Sequence, residues 1–104
     1  MSGEPKLSKD QLAALLADLP GWEAGHDRIR KKFIFPTFSN AFGFMCRVAL
    51  ECEKLDHHPN WYNCYGLVEV ELWTHRASGV TGLDVRLAHT MNEIAASSGV
   101  EPPE

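Results

Sequence analysis

Two carboxylates and two imidazoles fall within one short segment, Glu53-Lys54-Leu55-Asp56-His57-His58-Pro59. An imidazole titrates near neutrality and can give or take a proton, so the segment has the inventory for general acid–base chemistry. Neighbouring residues in an extended chain point in opposite directions, so His57 and His58 do not act as one bidentate ligand. Pro59 lacks an N–H and drives His58 toward extended geometry, which stiffens the corner. The plain alternative is a polar loop whose rings sit in water. A second feature is Thr74-His75 at the end of a strand pattern, where functional groups are often displayed. A third is Thr81-Gly82-Leu83-Asp84, a threonine with an aspartate three residues on. That spacing is a capping box, worth about 1 kcal/mol to a helix start, and nothing local asks Asp84 for chemistry. His26 falls in a turn and His89 on the last helix, and neither is assigned a role.

Other chemistries lack their residues. His57, His58, His75, Cys52 and Cys64 include metal-ligand types, but their spacings match no recognised ligand pattern and the thiols lie on or near the predicted core. No metal is expected. No Gly-rich phosphate loop and no Gly-x-Ser-x-Gly occurs, and no cysteine stands beside a histidine in a nucleophile pattern.

The elements that must position these residues read as follows. Ser8 to Leu19 is a helix with Ser8 as cap, Gln11 completing a capping box, and Leu12, Leu15, Leu16 and Leu19 on one face. Pro20-Gly21 ends it. Trp22 to Ala24 is a short strand, Gly25-His26-Asp27 a hairpin connection, and Arg28 to Phe35 a half-buried strand. Its Ile29, Phe33 and Phe35 face one way and Arg28, Arg30 and Lys32 the other. Thr37 caps a long helix in which Phe38, Ala41, Phe42, Met45, Val48, Ala49, Cys52 and Leu55 recur at helical spacing. A second apolar patch near Phe44 and Leu50 is expected on its other side, the kind of surface that marks subunit contacts. Trp61 to Tyr65 and Leu67 to His75 are strands around a turn at Gly66. Thr81 opens a last helix with Leu83, Leu87, Met91 and Ile94 as its buried stripe, and residues from about 97 onward read as a disordered, frayed tail. The order α-β-β-α-β-β-α predicts an α+β fold, a four-stranded, mainly antiparallel sheet with helices packed on one face.

The totals bound the rest. The 104 residues (1–104) form one domain, and with 44% hydrophobic and 23% charged residues the balance is that of an ordinary soluble protein. So small a domain gains from burying apolar surface between subunits, which makes a homo-oligomer a reasonable expectation. A formal charge of −4 argues against direct nucleic-acid binding. No stretch is long and apolar enough to cross a bilayer, and the polar N-terminus has no signal-peptide core. The three cysteines, Cys46, Cys52 and Cys64, form no CxxC pair, so reduced thiols in a cytoplasmic or nuclear compartment are expected.

Taken together, Glu-Lys-Leu-Asp-His-His-Pro-x-Trp at 53–61, Thr74-His75 and Gly-x-Thr-x-x-Asp at 79–84 resemble the signature of the pterin-4a-carbinolamine dehydratases. Ala41-Phe42-Gly43-Phe44-Met45 and Arg47-Val48-Ala49-Leu50 look like the animal-type branch, whose members also serve as dimerisation cofactors for homeodomain transcription factors. The likeness runs from Leu7 to about Ile94. It implies a hydro-lyase that dehydrates a 4a-hydroxytetrahydropterin to quinonoid dihydropterin and water, in tetrahydrobiopterin recycling. The pterin is then the substrate, and no cofactor is implied. By resemblance His57, His58, Pro59, Thr74, His75, Arg76 and Ala77 line the pterin pocket. His57 and His75 are the acid–base pair, His58 positions substrate, and Glu53, Asp56 and Asp84 hold or tune the histidines. Some animal members carry arginine where this chain has Leu83, so a role for that guanidinium does not carry over. The resemblance also implies a homodimer or homotetramer. The rival reading is a protein-interaction module in which the 38–55 helix pairs with a dimerisation helix of a transcription factor, through Phe44, Met45, Val48 and Leu50.

Overall fold

The computed structural model describes residues 4–102. Helix α1 (Lys9–Leu16) opens as its sequence predicts: Ser8 Oγ accepts the Gln11 N–H, and the Gln11 side chain accepts the Ser8 N–H. The helix stops earlier than expected. Turn hydrogen bonds carry the chain on to Leu19, which is buried, whereas no residue of α1 itself is. Strands β1 (Glu23–Gly25) and β2 (Arg28–Ile34) form a hairpin, α2 (Phe38–Leu55) crosses over, β3 (Asn60–Cys64) and β4 (Leu67–Leu72) form a second hairpin, and α3 (Gly82–Ala96) follows. Every strand pairing is antiparallel, and the spatial order is β1-β2-β4-β3.

The register joins the two hairpins through their inner strands. Ile29 faces Leu72 and Phe33 faces Val68, so Ile29, Phe33, Val68, Val70 and Leu72 share the helix-covered face, all buried. The alternate residues form a charged face, where Arg30 lies opposite Glu71 and Lys32 opposite Glu69. Lys31 falls on the core side by parity. Its Nζ lies over the Phe33 ring, 4.6 Å from the centroid, and donates to Pro20 O and Asn92 Oδ1, and burial lowers its pKa. Gly66, between β3 and β4, is demanded by close approach. A Cβ there would meet the Phe35 carbonyl oxygen, which any side chain would have to displace.

Three expectations are corrected. The core side of α2 is Ala41, Phe44, Val48 and Cys52, with Phe44 fully buried against Phe33 and Phe35 at ring distances of 4.9 and 5.0 Å. Phe44 therefore belongs to the core and not to a second patch. Phe38 and Phe42, expected inside, are about half exposed, and Ala49 is exposed too. Apolar residues occur on most sides of this helix, so periodicity alone could not choose its inward face; the aromatic pair on β2 and the segment after it chose. In α3 the buried stripe is Asp84, Val85, Leu87, Ala88, Met91 and Ala95, while Leu83 and Ile94 are only half-buried. The turn of the helix is set by the inward-facing Asp84. Third, the segment after α3 docks where fraying was expected. Glu101 N–H bonds Ile34 O at 2.7 Å, Ser98 O accepts from Asn40, and Val100 packs on the core. Residues 103–104 of the expected tail lie outside the described residues.

Candidate active site

Helix α2 ends on Asp56, which takes the left-handed conformation (φ 52°, ψ 45°) and sends its N–H back toward the carbonyls of Cys52 and Glu53. The His57 N–H also bonds Cys52 O, at 3.1 Å. Aspartate tolerates this conformation better than most residues, so Asp56 serves as the helix stop. Its carboxylate makes no hydrogen bond or ion pair with either histidine among the described residues. The role expected for it in tuning them is therefore replaced by a backbone role. The sharp exit followed by Pro59 separates the two imidazoles: His57 is buried and His58 exposed.

His57 Nε2 lies 2.5 Å from Asp84 Oδ1. Asp84 is fully buried at the first turn of α3, where its Oδ2 accepts the Thr81 N–H and the Thr74 hydroxyl, both at 2.9 Å. The proton directions follow by elimination. The single Thr74 hydroxyl hydrogen goes to Asp84, so the 2.7 Å contact between the two threonines is donated by Thr81. Thr81 Oγ1 then accepts the Leu83 N–H. The carboxylate thus gathers three donors, each charge-assisted bond being worth about 1.5–3 kcal/mol. With Nε2–H committed to Asp84, Nδ1 of His57 has no partner among the described residues. No buried side-chain nitrogen or oxygen is left unpaired, so Nδ1 is the ring nitrogen that solvent, or a ligand, can reach. This carboxylate–histidine dyad fixes both the tautomer and the ring.

The other two histidines have different partners. His58 Nε2 approaches Glu53 Oε2 at 3.2 Å on the exposed surface. His75 sits in a 3-10 turn (His75–Ala77), because β4 stops at Leu72 rather than running on to His75 as expected. A bridge between Thr74 and Gly79 closes that turn. The His75 ring is exposed and stacks on Trp73, centroids 4.9 Å apart and planes 6° apart. Arg28 lies over Trp73 at 4.2 Å and is tied to Glu71 at 2.7 Å.

Asp84 therefore joins the two motif segments: it grips His57 on one side and Thr74, the neighbour of His75, on the other. Buried Asp84 and Thr74 spend their polar groups on this network, so they stand behind the histidines instead of lining a substrate surface. Arg76 is exposed and Ala77 half-buried in the turn. A small cavity of about 290 Å³ beside His75 is bounded by His26, Asp27, Arg28, Trp73 and Ser78, and neither His57 nor His58 lines it. A larger depression of about 1500 Å³ reaches none of the three histidines. The sequence reading gave no site role to Thr81, Trp73 or Arg28. Trp73 was visible beside His75, but Arg28 comes next to it only through the β2–β4 register, one step beyond the Ile29–Leu72 pair.

Among the described residues no three His, Cys, Asp or Glu side chains group as a metal site. Cys52 is buried and its thiol is pushed up to about 11, by burial first and then by the Glu53 and Glu51 carboxylates, so it is neutral at physiological pH. Cys46 is exposed. No helix among the described residues is long and apolar enough to cross a membrane.

Comparison with known proteins accounts for most of the chain. Residues 5–94 match the family model described as pterin 4 alpha carbinolamine dehydratase. A relative from Rhodopseudomonas palustris is 53% identical over 93 residues, covering 88% of this chain and 92% of that protein. One from Mesorhizobium japonicum is 54% identical over 89 residues, covering 84% and 91%. Both are provisionally named pterin-4-alpha-carbinolamine dehydratase. A crystal structure of a transcriptional coactivator/pterin dehydratase from Brucella melitensis superposes with a TM-score of 0.84 at 47% identity, covering 86% of this chain and 98% of that one.

Proposed function

Since this chain belongs to the pterin-4a-carbinolamine dehydratase family, we propose that it dehydrates a 4a-hydroxytetrahydropterin to quinonoid dihydropterin, with His57 and His75 as acid–base groups. The reaction breaks the C4a–O bond and the N5–H bond and forms a C4a–N5 double bond, releasing water. One group must protonate the departing hydroxyl and another must take the N5 proton. Positioned groups that titrate near working pH contribute about 10² to 10⁴ in rate to such transfers. The observation that carries the reading is the Asp84–His57 dyad: its locked Nε2–H leaves Nδ1 as a lone pair suited to the N5 proton. His75, with no hydrogen bond to its ring among the described residues, is available to protonate the hydroxyl. His58, paired with Glu53, holds substrate at the same corner. Pterin is the substrate, the reaction needs no bound cofactor or metal, and the step returns the pterin left by aromatic amino acid hydroxylases to the recycling route.

The direct test couples the protein to an aromatic amino acid hydroxylase that generates the carbinolamine, and follows quinonoid formation. Accelerated water loss is expected, and equally so when this protein alone has been treated with a chelator and freed of it before the assay. A rate equal to the protein-free reaction would end the proposal.

One observation favours a second role beside the first. Phe38, Phe42 and Leu50 are 51–66% exposed and, with Cys46 and Ala49, form one apolar stripe along α2, where Phe38 and Phe42 lie against each other at 5.5 Å. A stripe of this kind is an association surface, and we assign it to pairing of α2 with a second copy in a homodimer or homotetramer, competing there with a partner's dimerisation helix. This stripe replaces the Phe44-centred patch expected from sequence. Substituting Phe42→Glu is expected to shift the protein to a smaller species in size-exclusion chromatography with light scattering, its fold retained by circular dichroism. An unchanged mass would place the subunit contact elsewhere.

A further inference from the structure

We propose that Trp73, clamped from the neighbouring strand by Arg28, orients the His75 imidazole for proton transfer, a positioning role that rests on the reading of His75 as an acid–base group. The two imidazoles of the acid–base pair are held by different physics. His57 is fixed by a hydrogen bond to a buried carboxylate. The His75 ring makes no hydrogen bond among the described residues and is exposed. Its backbone is fixed by the turn, in which Thr74 N–H bonds Gly79 O at 2.9 Å and Ser78 N–H bonds His75 O at 3.1 Å, with Ser78 in the left-handed region at φ 55°. That leaves the two side-chain torsions. An exposed imidazole on a turn would exchange among rotamers, and its second torsion is broad. Proton transfer requires a ring nitrogen held at hydrogen-bond reach and angle, and small misplacement is costly in rate.

The near-parallel stack on Trp73, planes 6° apart, restricts those torsions. An indole offers a wide, flat, electron-rich face that serves a neutral or a protonated imidazole alike. The indole is restrained in turn. The Arg28 guanidinium carbon lies 4.2 Å from the Trp73 ring centroid, and that guanidinium is pinned at Nη1 by Glu71 (2.7 Å) and at Nε by His26 O (3.2 Å). A chain of contacts thus runs from the charged face of the sheet to His75, which of the three histidines at 57, 58 and 75 is the one without a hydrogen-bonded ring among the described residues.

The experiment compares wild type with Trp73→Ala, Trp73→Phe and Arg28→Leu. In the coupled dehydration assay Trp73→Ala is expected to lower kcat about tenfold with KM within about twofold, because orientation and not affinity is lost. Trp73→Phe restores most of that rate, since a phenyl ring still offers a stacking face. Arg28→Leu, a surface change on β2 that leaves the core untouched, lowers kcat about threefold, the scale of one cation–π contact. Independently of turnover, the His75 ring-proton resonances, assigned with His75→Gln, lie upfield in wild type through the indole ring current and move downfield in Trp73→Ala. Full kcat in Trp73→Ala, a loss that Trp73→Phe does not relieve, or a His75 resonance unmoved by Trp73→Ala would each overturn the proposal. A wild-type protein without dehydratase activity removes the chemical role of the stack together with the functional reading, and the resonances then show whether the stack itself exists.

Discussion

Replacing His57 and His75 together by alanine is expected to return water loss from the carbinolamine to its uncatalysed rate, with each single replacement costing about 10²-fold or more in kcat. The two arms differ in what else they disturb. His75 is exposed and its ring makes no hydrogen bond among the described residues, so His75→Ala should leave the melting temperature near the wild-type value. A large rate loss at unchanged stability would therefore be chemical in origin. His57→Ala strips a buried carboxylate of one of its three donors and should cost about 1–3 kcal/mol of stability as well. The measurement pairs the hydroxylase-coupled assay with thermal unfolding. If His75→Ala turned over as fast as wild type, His75 would have no place in the proton transfers and the acid–base pair would have to be drawn differently.

The second large effect concerns Asp84, and two substitutions separate its roles. Asp84→Ala removes the acceptor for Thr81 N–H, for the Thr74 hydroxyl and for His57 at once, where the carboxylate itself is fully buried. Breaking a buried charged network in this way costs about 3–5 kcal/mol, a large part of the stability of so small a domain. Urea unfolding should show this as a lower midpoint. Asp84→Asn is the more informative change. It keeps an oxygen for Thr81 and Thr74 but places an NH₂ group where the Nε2–H of His57 arrives. Two donors cannot face each other, so His57 must move its proton to Nδ1 and accept at Nε2. The protein should then fold with a loss of about 1–2 kcal/mol, yet the lone pair needed for catalysis is turned inward. Turnover should fall about 10²-fold or more, as expected when a histidine is held in the wrong tautomer. Near-normal turnover in Asp84→Asn would reduce Asp84 to a structural cap.

The capping box shows why part of the site was readable and part was not. Thr81 with Asp84 three residues on is a local signal, and the structure contains that box as expected. The same carboxylate also grips a histidine 27 residues earlier in the chain. No spacing rule joins positions so far apart; they meet because β3 and β4 pair and α3 returns across the sheet. That His57 and His58 point apart followed from extended geometry at the corner before Pro59, although which ring turned inward, and the partner of each, did not.

What the sequence determined by itself is what depends on near neighbours along the chain. The element order, the caps at Ser8, Thr37 and Thr81, the alternation of β2 and β4, and the concentration of acid–base groups at 53–59 and 74–75 are of this kind. Only the tertiary structure decided which side of α2 goes inward, because Phe38, Phe42 and Phe44 are chemically alike and the choice lay with Phe33 and Phe35. It alone placed Arg28 over Trp73, and it docked Val100 and Glu101, whose partners lie on other elements. The division has one physical cause. Local propensity acts over a few residues, whereas the face a side chain buries and the group it bonds are set by shape complementarity between segments distant in sequence.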